Sequence, residues 1–176
     1  VVRYLSSDRK AEHEFDSSQG VVDGITFKQY LEQQSNPFTW ATAVEINIIA
    51  QIKKVNMIVE RYDSKTGTSS FMCLHNQSPT AQTMILRCTD NVHWQPWMNG
   101  SSGNGPVLGK SASDGSCGYS SAVMATEFDN PHTIGHEGLN KCLARVSTNP
   151  SLATPVFNVV ADPSFGNDLD LRGCAG

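Results

Sequence analysis

The chain has 176 residues, a length that corresponds to one compact domain with a sizeable core. Hydrophobic residues make up 39% of it, an ordinary share for a globular protein, which excludes intrinsic disorder for most of the chain. Thirteen Lys and Arg against 17 Asp and Glu give a formal net charge of -4, without the basic surface that nucleic acids or anionic lipids require. We therefore expect no nucleic-acid partner and no membrane partner.

Five cysteines are spread through the chain, at positions 73, 88, 117, 142 and 174. They show neither the density of a disulfide scaffold nor the paired spacing of a zinc site. We expect a reduced, cytosolic protein with no cofactor and no metal. The chain opens with Val-Val-Arg-Tyr, which resembles neither a signal peptide nor a native start, so we also expect it to be part of a longer protein.

Two helices are predicted in the first third of the chain. Residues 1–24 are polar and mixed, and we expect little structure there. Apolar positions in residues 25–33 fit a short amphipathic helix that ends before Pro37. A second helix follows from Thr39, as its N-cap, to residues 53–54. Its apolar residues are four apart on one stripe, which predicts a largely buried helix: Trp40, Val44, Ile48 and Ile52.

Short strands follow in residues 55–60, 70–74, 83–88 and 92–97, where β-branched and aromatic residues alternate with turn residues. A tight turn at Thr89, Asp90 and Asn91 predicts that the last two strands pair antiparallel. The fold class is therefore α+β, with a small antiparallel sheet flanked by helices.

Residues 99–116 contain five Gly and five Ser among eighteen positions, which predicts a flexible connection. Cys117 then opens a helix over residues 118–128, further helix is expected over residues 134–146, and a short strand over residues 155–161. A Cys in the first turn of a helix gains thiolate character from the helix dipole, and backbone N-H groups there can hold an oxyanion. The alternative for Cys117 is a small buried hydrophobic residue.

Several segments together resemble the ovarian tumour (OTU) family of cysteine deubiquitinases. Residues 27–31 (Phe-Lys-Gln-Tyr-Leu) and 40–45 (Trp-Ala-Thr-Ala-Val-Glu) resemble two helices of that family. Residues 56–59, 83–86 and 91–94 (Asn-Val-His-Trp) resemble its strands, the last of which carries the catalytic base. Residues 114–119 (Asp-Gly-Ser-Cys-Gly-Tyr) resemble its nucleophile loop. The resemblance implies a papain-like cysteine protease fold.

The order of these segments differs from the usual order of the family, in which the nucleophile precedes the base. Placing residues 105–176 before residues 1–98 restores that order, so the resemblance implies a circularly permuted member. Such rearrangement is tolerated where the termini of a compact domain lie close together. We expect one catalytic domain over residues 1–176, with a His-containing half (25–98), a connection (99–113) and a Cys-containing half (114–176).

The resemblance implies that Cys117 is the nucleophile and His93 the base. Asp114, Gly115 and Ser116 would form the nucleophile loop and oxyanion site. The third catalytic residue stays open, because Gln95 stands where the family often has Asp or Asn. Either Asn91 or Gln95 is preferred over Asp90 as the group that orients the imidazole.

The resemblance further implies a monomer that hydrolyses isopeptide bonds at the C-terminus of ubiquitin or polyubiquitin through a thioester. It also suggests a bacterial effector that works in a host cytoplasm after non-classical secretion. Two alternatives stay open: a papain-like thiol enzyme acting on another amide (a peptidase, deamidase or acyltransferase), and a non-catalytic ubiquitin-binding module. His132 and His136, four apart, lack an evident third ligand, so no metal is expected there.

Overall fold

The computed structural model describes residues 1–7, 11–13, 15, 25–36, 39–101, 105–112, 115–125, 127–128 and 130–148. The helices are α1 (Val2–Ser6), α2 (Phe27–Gln34), α3 (Ala43–Lys53), α4 (Cys117–Met124) and α5 (Glu137–Thr148), with a 3-10 turn at Pro131–Ile134. The strands are β1 (Asn56–Asp63), β2 (Thr68–His75), β3 (Thr83–Thr89), β4 (His93–Met98) and β5 (Val107–Leu108). These elements confirm the α+β class.

The five strands form one mixed sheet in the order β2-β1-β3-β4-β5. Strands β1 and β3 pair parallel, and the other neighbours pair antiparallel, so the prediction of an antiparallel sheet is wrong for this pair. The parallel pair arises because residues 76–82, which connect β2 to β3, cross the start of β1 and place β3 on its other side. Buried Asn56 holds that crossing: its amide donates to the Ser78 carbonyl at 2.8 Å and its oxygen accepts from the Gln77 N-H at 2.8 Å.

Both long N-terminal helices begin with a capping box. Thr26 and Gln29 exchange hydrogen bonds at the start of α2, and Thr42 and Glu45 do so at the start of α3. Thr42, not the predicted Thr39, is therefore the N-cap of the second helix. The reciprocal bond from the Glu45 side chain fixes the boundary, since two otherwise unpaired backbone N-H groups gain acceptors.

Helices cover both faces of the sheet. One core lies between the sheet, α3 and α4, and it also takes in Leu5, Phe15 and Phe27 from the N-terminal region. The prediction of little structure before residue 25 is wrong for α1, because Leu5 is fully buried. A second core packs α5 onto the opposite face, around Ile58 and Ile85.

A buried ion pair on the α5 face is the centre of a hydrogen-bond network that joins four strands. The Glu60 carboxylate accepts from the Arg87 guanidinium at 2.8 and 3.0 Å, from the Trp97 indole at 2.7 Å and from the Ser69 hydroxyl at 2.6 Å. The guanidinium carbon lies 4.5 Å from the centroid of the Tyr62 ring. Four donors satisfy the carboxylate, as a charge 3% exposed requires.

Part of the Gly/Ser-rich connection is ordered, contrary to the prediction of a flexible segment. Residues 107–108 form β5 on the edge of β4, and the Gly109 N-H donates to the Pro96 carbonyl at 2.8 Å. A Cβ on Gly109 would lie 2.8 Å from both Met98 Sδ and Pro96 Cγ. The missing side chain of Gly109 therefore lets this segment pack closely against β4.

The C-terminal half is less continuous than predicted. Helix α4 ends at Met124 rather than at residue 128, and the predicted helix over 134–146 is the 3-10 turn followed by α5. The break lies at Gly135, whose φ of 71° is left-handed. The strand predicted at 155–161 lies outside the described residues. No helix in the described part of the chain is long and apolar enough to cross a membrane.

Candidate active site

Cys117 is the first residue of α4, and its side chain is buried. Its thiol donates to the carbonyl oxygen of Val92, with the sulfur 3.8 Å from that oxygen. The first N-H groups of a helix lack intrahelical acceptors and carry partial positive charge. Cys117 therefore stands at the positive end of the α4 dipole.

His93 directly follows Val92 and is the first residue of β4. Because the Cys117 sulfur lies against the Val92 carbonyl, the start of α4 meets the start of the strand that carries His93. The His93 side chain is half-buried, and its Nε2 lies 3.4 Å from Ser111 Oγ. The fold thus brings the two predicted catalytic residues to one end of β4, although helix and strand come from different halves of the chain.

The loop before Cys117 is described for two of its three predicted residues. Gly115 has a φ of 24°, a conformation that side-chain-bearing residues rarely adopt. Ser116 takes the N-cap position, and its carbonyl accepts from the Ser120 N-H at 2.9 Å. Asp114 lies outside the described residues. The Gly-Ser pair turns the chain into α4 directly before Cys117.

The candidates for the third catalytic residue have other hydrogen-bond partners. Asn91 Oδ1 accepts from the Arg61 guanidinium at 3.1 and 3.3 Å. Gln95 Nε2 donates to the Gly109 carbonyl at 3.2 Å. The Asp90 carboxylate accepts from the Ser64 N-H at 2.8 Å and from its hydroxyl at 2.6 Å.

The turn that carries Asp90 and Asn91 requires left-handed backbone at both residues, with φ values of 52° and 61°. Asp and Asn tolerate that conformation better than other side-chain-bearing residues. Their presence in the turn is therefore explained by the hairpin, and their catalytic role stays a prediction.

Ser111 is the side chain that the structure places on His93 and that the sequence did not reveal. Its hydroxyl lies between His93 Nε2 and the carbonyl oxygen of Trp94, to which it donates. Residue 111 falls in the Gly/Ser-rich connection, where one serine among many carries no pattern. Only the pairing of β5 with β4 brings it to the imidazole.

Helix α4 is fixed against β4 and α3 by close contacts. The Ser121 hydroxyl donates to the Trp94 carbonyl at 2.9 Å, and the Trp94 indole donates to the Ala41 carbonyl at 3.1 Å. A Cβ on Gly118 would lie only 2.6 Å from the Cβ of Ala41. Ala41 and Trp94 thus pack directly against Gly118, the residue of α4 that follows Cys117.

A lysine closes the other end of the same helix. Lys53 Nζ donates to the carbonyls of Ala122 at 2.9 Å and Ala125 at 3.2 Å. The last carbonyls of a helix have no intrahelical donor and carry partial negative charge, which a cation there compensates. Partial burial lowers the pKa of Lys53. The ammonium therefore anchors the helix that carries Cys117.

A buried carboxylate lies behind the site. The Glu45 side chain accepts from the Tyr30 hydroxyl and from both the N-H and the hydroxyl of Thr42. Burial and then the charge of Glu45 raise the pKa of Tyr119, whose hydroxyl donates to Gln34 at 2.6 Å. Both tyrosines therefore stay protonated donors near neutral pH. The Glu45 side chain thereby joins α2 to the start of α3.

An open cleft of about 420 Å³ lies next to the β3–β4 turn, between that turn and the β1–β2 hairpin. Its lining carries both signs of charge, from Arg61 and Lys65 and from Asp63 and Asp90. Hydrogen bonds from backbone N-H groups lower the pKa of Asp63, and those from Ser64 lower the pKa of Asp90. The cleft is therefore polar, and its lining has two basic and two acidic side chains rather than an acidic excess.

The remaining histidines and cysteines have structural surroundings. His132 and His136 do not share a helix, because a 3-10 turn holds the first and Gly135 separates them. His132 Nδ1 lies 2.8 Å from Asn140 Oδ1, and the ring of His136 lies 4.7 Å from that of Phe71. No group of three His, Cys, Asp or Glu in the described ranges could hold a metal ion. Cys73 is half-buried, Cys88, Cys117 and Cys142 are buried, and Cys174 lies outside those ranges.

Comparison of the chain with protein-family models, with curated proteins and with solved structures gave no match. The site itself offers a thiol at a helix N-terminus, in contact with the residue that precedes His93, and a hydroxyl 3.4 Å from the His93 imidazole.

Proposed function

We propose that this chain is a cysteine-dependent deubiquitinase with Cys117 as nucleophile and His93 as general base. The observation that carries the proposal is the Cys117 sulfur at the N-terminus of α4, 3.8 Å from the carbonyl of the residue that precedes His93. A buried structural cysteine needs neither a helix N-terminus nor an adjacent histidine strand. Both features activate a nucleophilic cysteine.

The first step is proton transfer. His93 takes the proton of the Cys117 thiol, and the thiolate attacks the carbonyl carbon of the C-terminal glycine of ubiquitin. A C-S bond forms, the C-N isopeptide bond breaks, and the leaving lysine amine takes the proton from the imidazolium. Water then attacks the thioester, His93 accepts its proton, and the C-S bond breaks to return the thiol.

The oxyanion of each tetrahedral intermediate would lie at the start of α4. N-H groups of Cys117 and of the preceding turn point out of the helix N-terminus, where no carbonyl of the helix can accept from them. Gly115 allows close approach of the backbone to the substrate, because it has no side chain. The N-terminus of α4 would thus hold both the nucleophile and the oxyanion.

The papain-like fold and its circular permutation are part of the same proposal. In a relative with the usual segment order, the N-terminus precedes the nucleophile and the C-terminus follows the base. Because nucleophile and base have to meet, those two termini would lie near each other. A connection from β4 to α4 can then be short, and residues 99–116 supply it, with β5 held to the edge of β4. Once that connection joins the former termini, the chain begins and ends at another place on the surface of the domain.

The test is reaction with ubiquitin that carries an electrophile at its C-terminus, followed by intact-mass measurement. We expect one adduct on the wild type, none on Cys117→Ala, much slower formation on His93→Ala, and an unchanged rate on the matched control Cys142→Ala. Cys142 is also a buried thiol, but it lies in the core under α5. Absence of the ubiquitin adduct with rapid alkylation of Cys117 by a small reagent would indicate a thiol enzyme acting on another amide. Absence of both would refute the enzyme proposal.

A further inference from the structure

Ser111 has one hydroxyl hydrogen and two neighbours that compete for it. The hydroxyl donates to the Trp94 carbonyl oxygen, and Oγ also lies 3.4 Å from His93 Nε2. A carbonyl oxygen can only accept, so the hydrogen of Ser111 is used there. Towards His93 the hydroxyl can then only accept, which requires that Nε2 carries a proton.

The position of Ser111 is set by a strand. Leu108 pairs with Trp97 in the sheet, and the Gly109 carbonyl accepts from the Gln95 amide at 3.2 Å. Ser111 follows two residues later and is half-buried. Its contact with the imidazole is therefore held by the sheet edge rather than by a free loop.

We infer that Ser111 is the positioning residue of His93. It accepts the Nε2 hydrogen, and this leaves Nδ1 as the nitrogen that takes the proton of the Cys117 thiol. The inference rests on the proposed function, in which His93 is the base. It also fits the other hydrogen bonds of the site, because the Asn91 oxygen accepts from Arg61 and the Gln95 nitrogen donates to Gly109.

The first test is the pH profile of Cys117 alkylation by iodoacetamide, without ubiquitin. We expect Ser111→Ala to lower the rate near neutral pH by about 10- to 100-fold, the usual scale for a misplaced catalytic group, and to move the profile towards that of an ordinary thiol. Ser111→Thr, which keeps the hydroxyl, should restore the wild-type profile. Ser101→Ala is the control, because Ser101 is an exposed serine of the same connection. Its profile should match the wild type.

The second test reads the imidazole directly. In the Cys117→Ala background, a long-range ¹H–¹⁵N spectrum should show neutral His93 protonated at Nε2, and Ser111→Ala should shift it towards protonation at Nδ1. Protonation at Nδ1 with Ser111 present would overturn the inference. So would a Ser111→Ala profile that keeps the wild-type shape, or one that changes together with that of Ser101→Ala.

Neither test contains ubiquitin, so the two proposals fail separately. If Ser111 behaves as expected but no ubiquitin adduct forms, the substrate is wrong and the positioning role stands. If the adduct forms and Ser111→Ala leaves both readouts unchanged, the deubiquitinase proposal stands and Ser111 has no positioning role.

Discussion

Substitution of Gly118 by alanine should move the helix that carries Cys117. A Cβ at residue 118 would lie 2.6 Å from the Cβ of Ala41 and 3.2 Å from Cδ1 of Trp94. Ordinary contact between carbon atoms is about 3.5 to 4.0 Å, so the shortfall is close to 1 Å. An alanine Cβ cannot rotate aside, and the Trp94 indole is held by its hydrogen bond to the Ala41 carbonyl. Helix α4 must therefore shift.

The magnitude follows from two opposing effects. Forcing an extra methyl into a packed contact costs about 1 to 3 kcal/mol. Replacing Gly by Ala within a helix returns about 1 kcal/mol of helix propensity. We therefore expect Gly118→Ala to lower the free energy of unfolding by about 1 kcal/mol, with slower alkylation of Cys117, which the shifted helix moves away from His93.

A double-mutant cycle with Ala41→Gly tests this contact, with urea unfolding as the assay. Ala41→Gly alone should cost about 1 kcal/mol, through a lost buried methyl and a more flexible backbone. In the double variant the methyl groups no longer meet, so the two costs should sum to at least about 1 kcal/mol more than the measured loss. Strictly additive costs would refute the close approach of α4 to Ala41.

Three further predictions concern the stability of the fold. Lys53→Met should lower the free energy of unfolding by about 1 to 3 kcal/mol in urea, because the last carbonyls of α4 lose their buried donor. Arg87→Met should cost about 3 to 5 kcal/mol by the same assay, since it leaves the Glu60 carboxylate buried without its cation. Burial lowers the pKa of His75, so stability should fall in acid, and His75→Gln should flatten this pH dependence of the melting temperature.

The sign of the pH effect follows from the direction of the pKa shift. The folded protein disfavours charged His75, whose Nδ1 is buried without a hydrogen-bond partner among the described residues. The contribution of neutral His75 to the free energy of unfolding is fully present above the ordinary histidine pKa of about 6.5. It is lost as the pH falls through the lower pKa of the folded state. His13→Gln, at an exposed histidine, is the control and should keep the wild-type slope. Equal slopes in wild type and His75→Gln would contradict the account.

The other two predictions have their own controls. Lys65→Met changes an exposed lysine in a turn and should leave unfolding unaltered, so a loss equal to that of Lys53→Met would exclude capping as the cause. For the ion pair, Arg87→Met combined with Glu60→Gln should cost less than Arg87→Met alone, because no unpaired charge remains buried. An equal or larger cost would indicate that lost packing against Tyr62, rather than charge, dominates.

The elements that local patterns determine were predictable from the sequence. The strands β1 to β4, the helices α2 and α3 and the helix start at Cys117 match their predicted positions within a few residues. The parallel pairing of β1 and β3 was not predictable, because alternation of buried residues is the same for either direction. That pairing depends on the hydrogen bonds of Asn56 to residues 77–81, which join positions distant in the chain.

The site divides in the same way. Cys117 could be singled out from a local signal, a glycine-containing turn before a helix, whereas His93 was singled out by the resemblance of residues 91–94 to the OTU strand that carries the base. Ser111 has no such signal, since its role depends on the edge pairing of a two-residue strand. Thr42 was missed as an N-cap because Thr39 has the same residue type, and only the reciprocal bond of Glu45 separates them.

The most direct test of the central claim is release of ubiquitin from isopeptide-linked ubiquitin dimers. We expect the wild type and Cys142→Ser to release free ubiquitin from at least one linkage, and Cys117→Ser to release none while it still melts cooperatively. A panel of dimers covers every linkage, so the substrate choice does not limit the outcome. No release from any dimer by the folded wild type, or equal release by Cys117→Ser, would contradict the account.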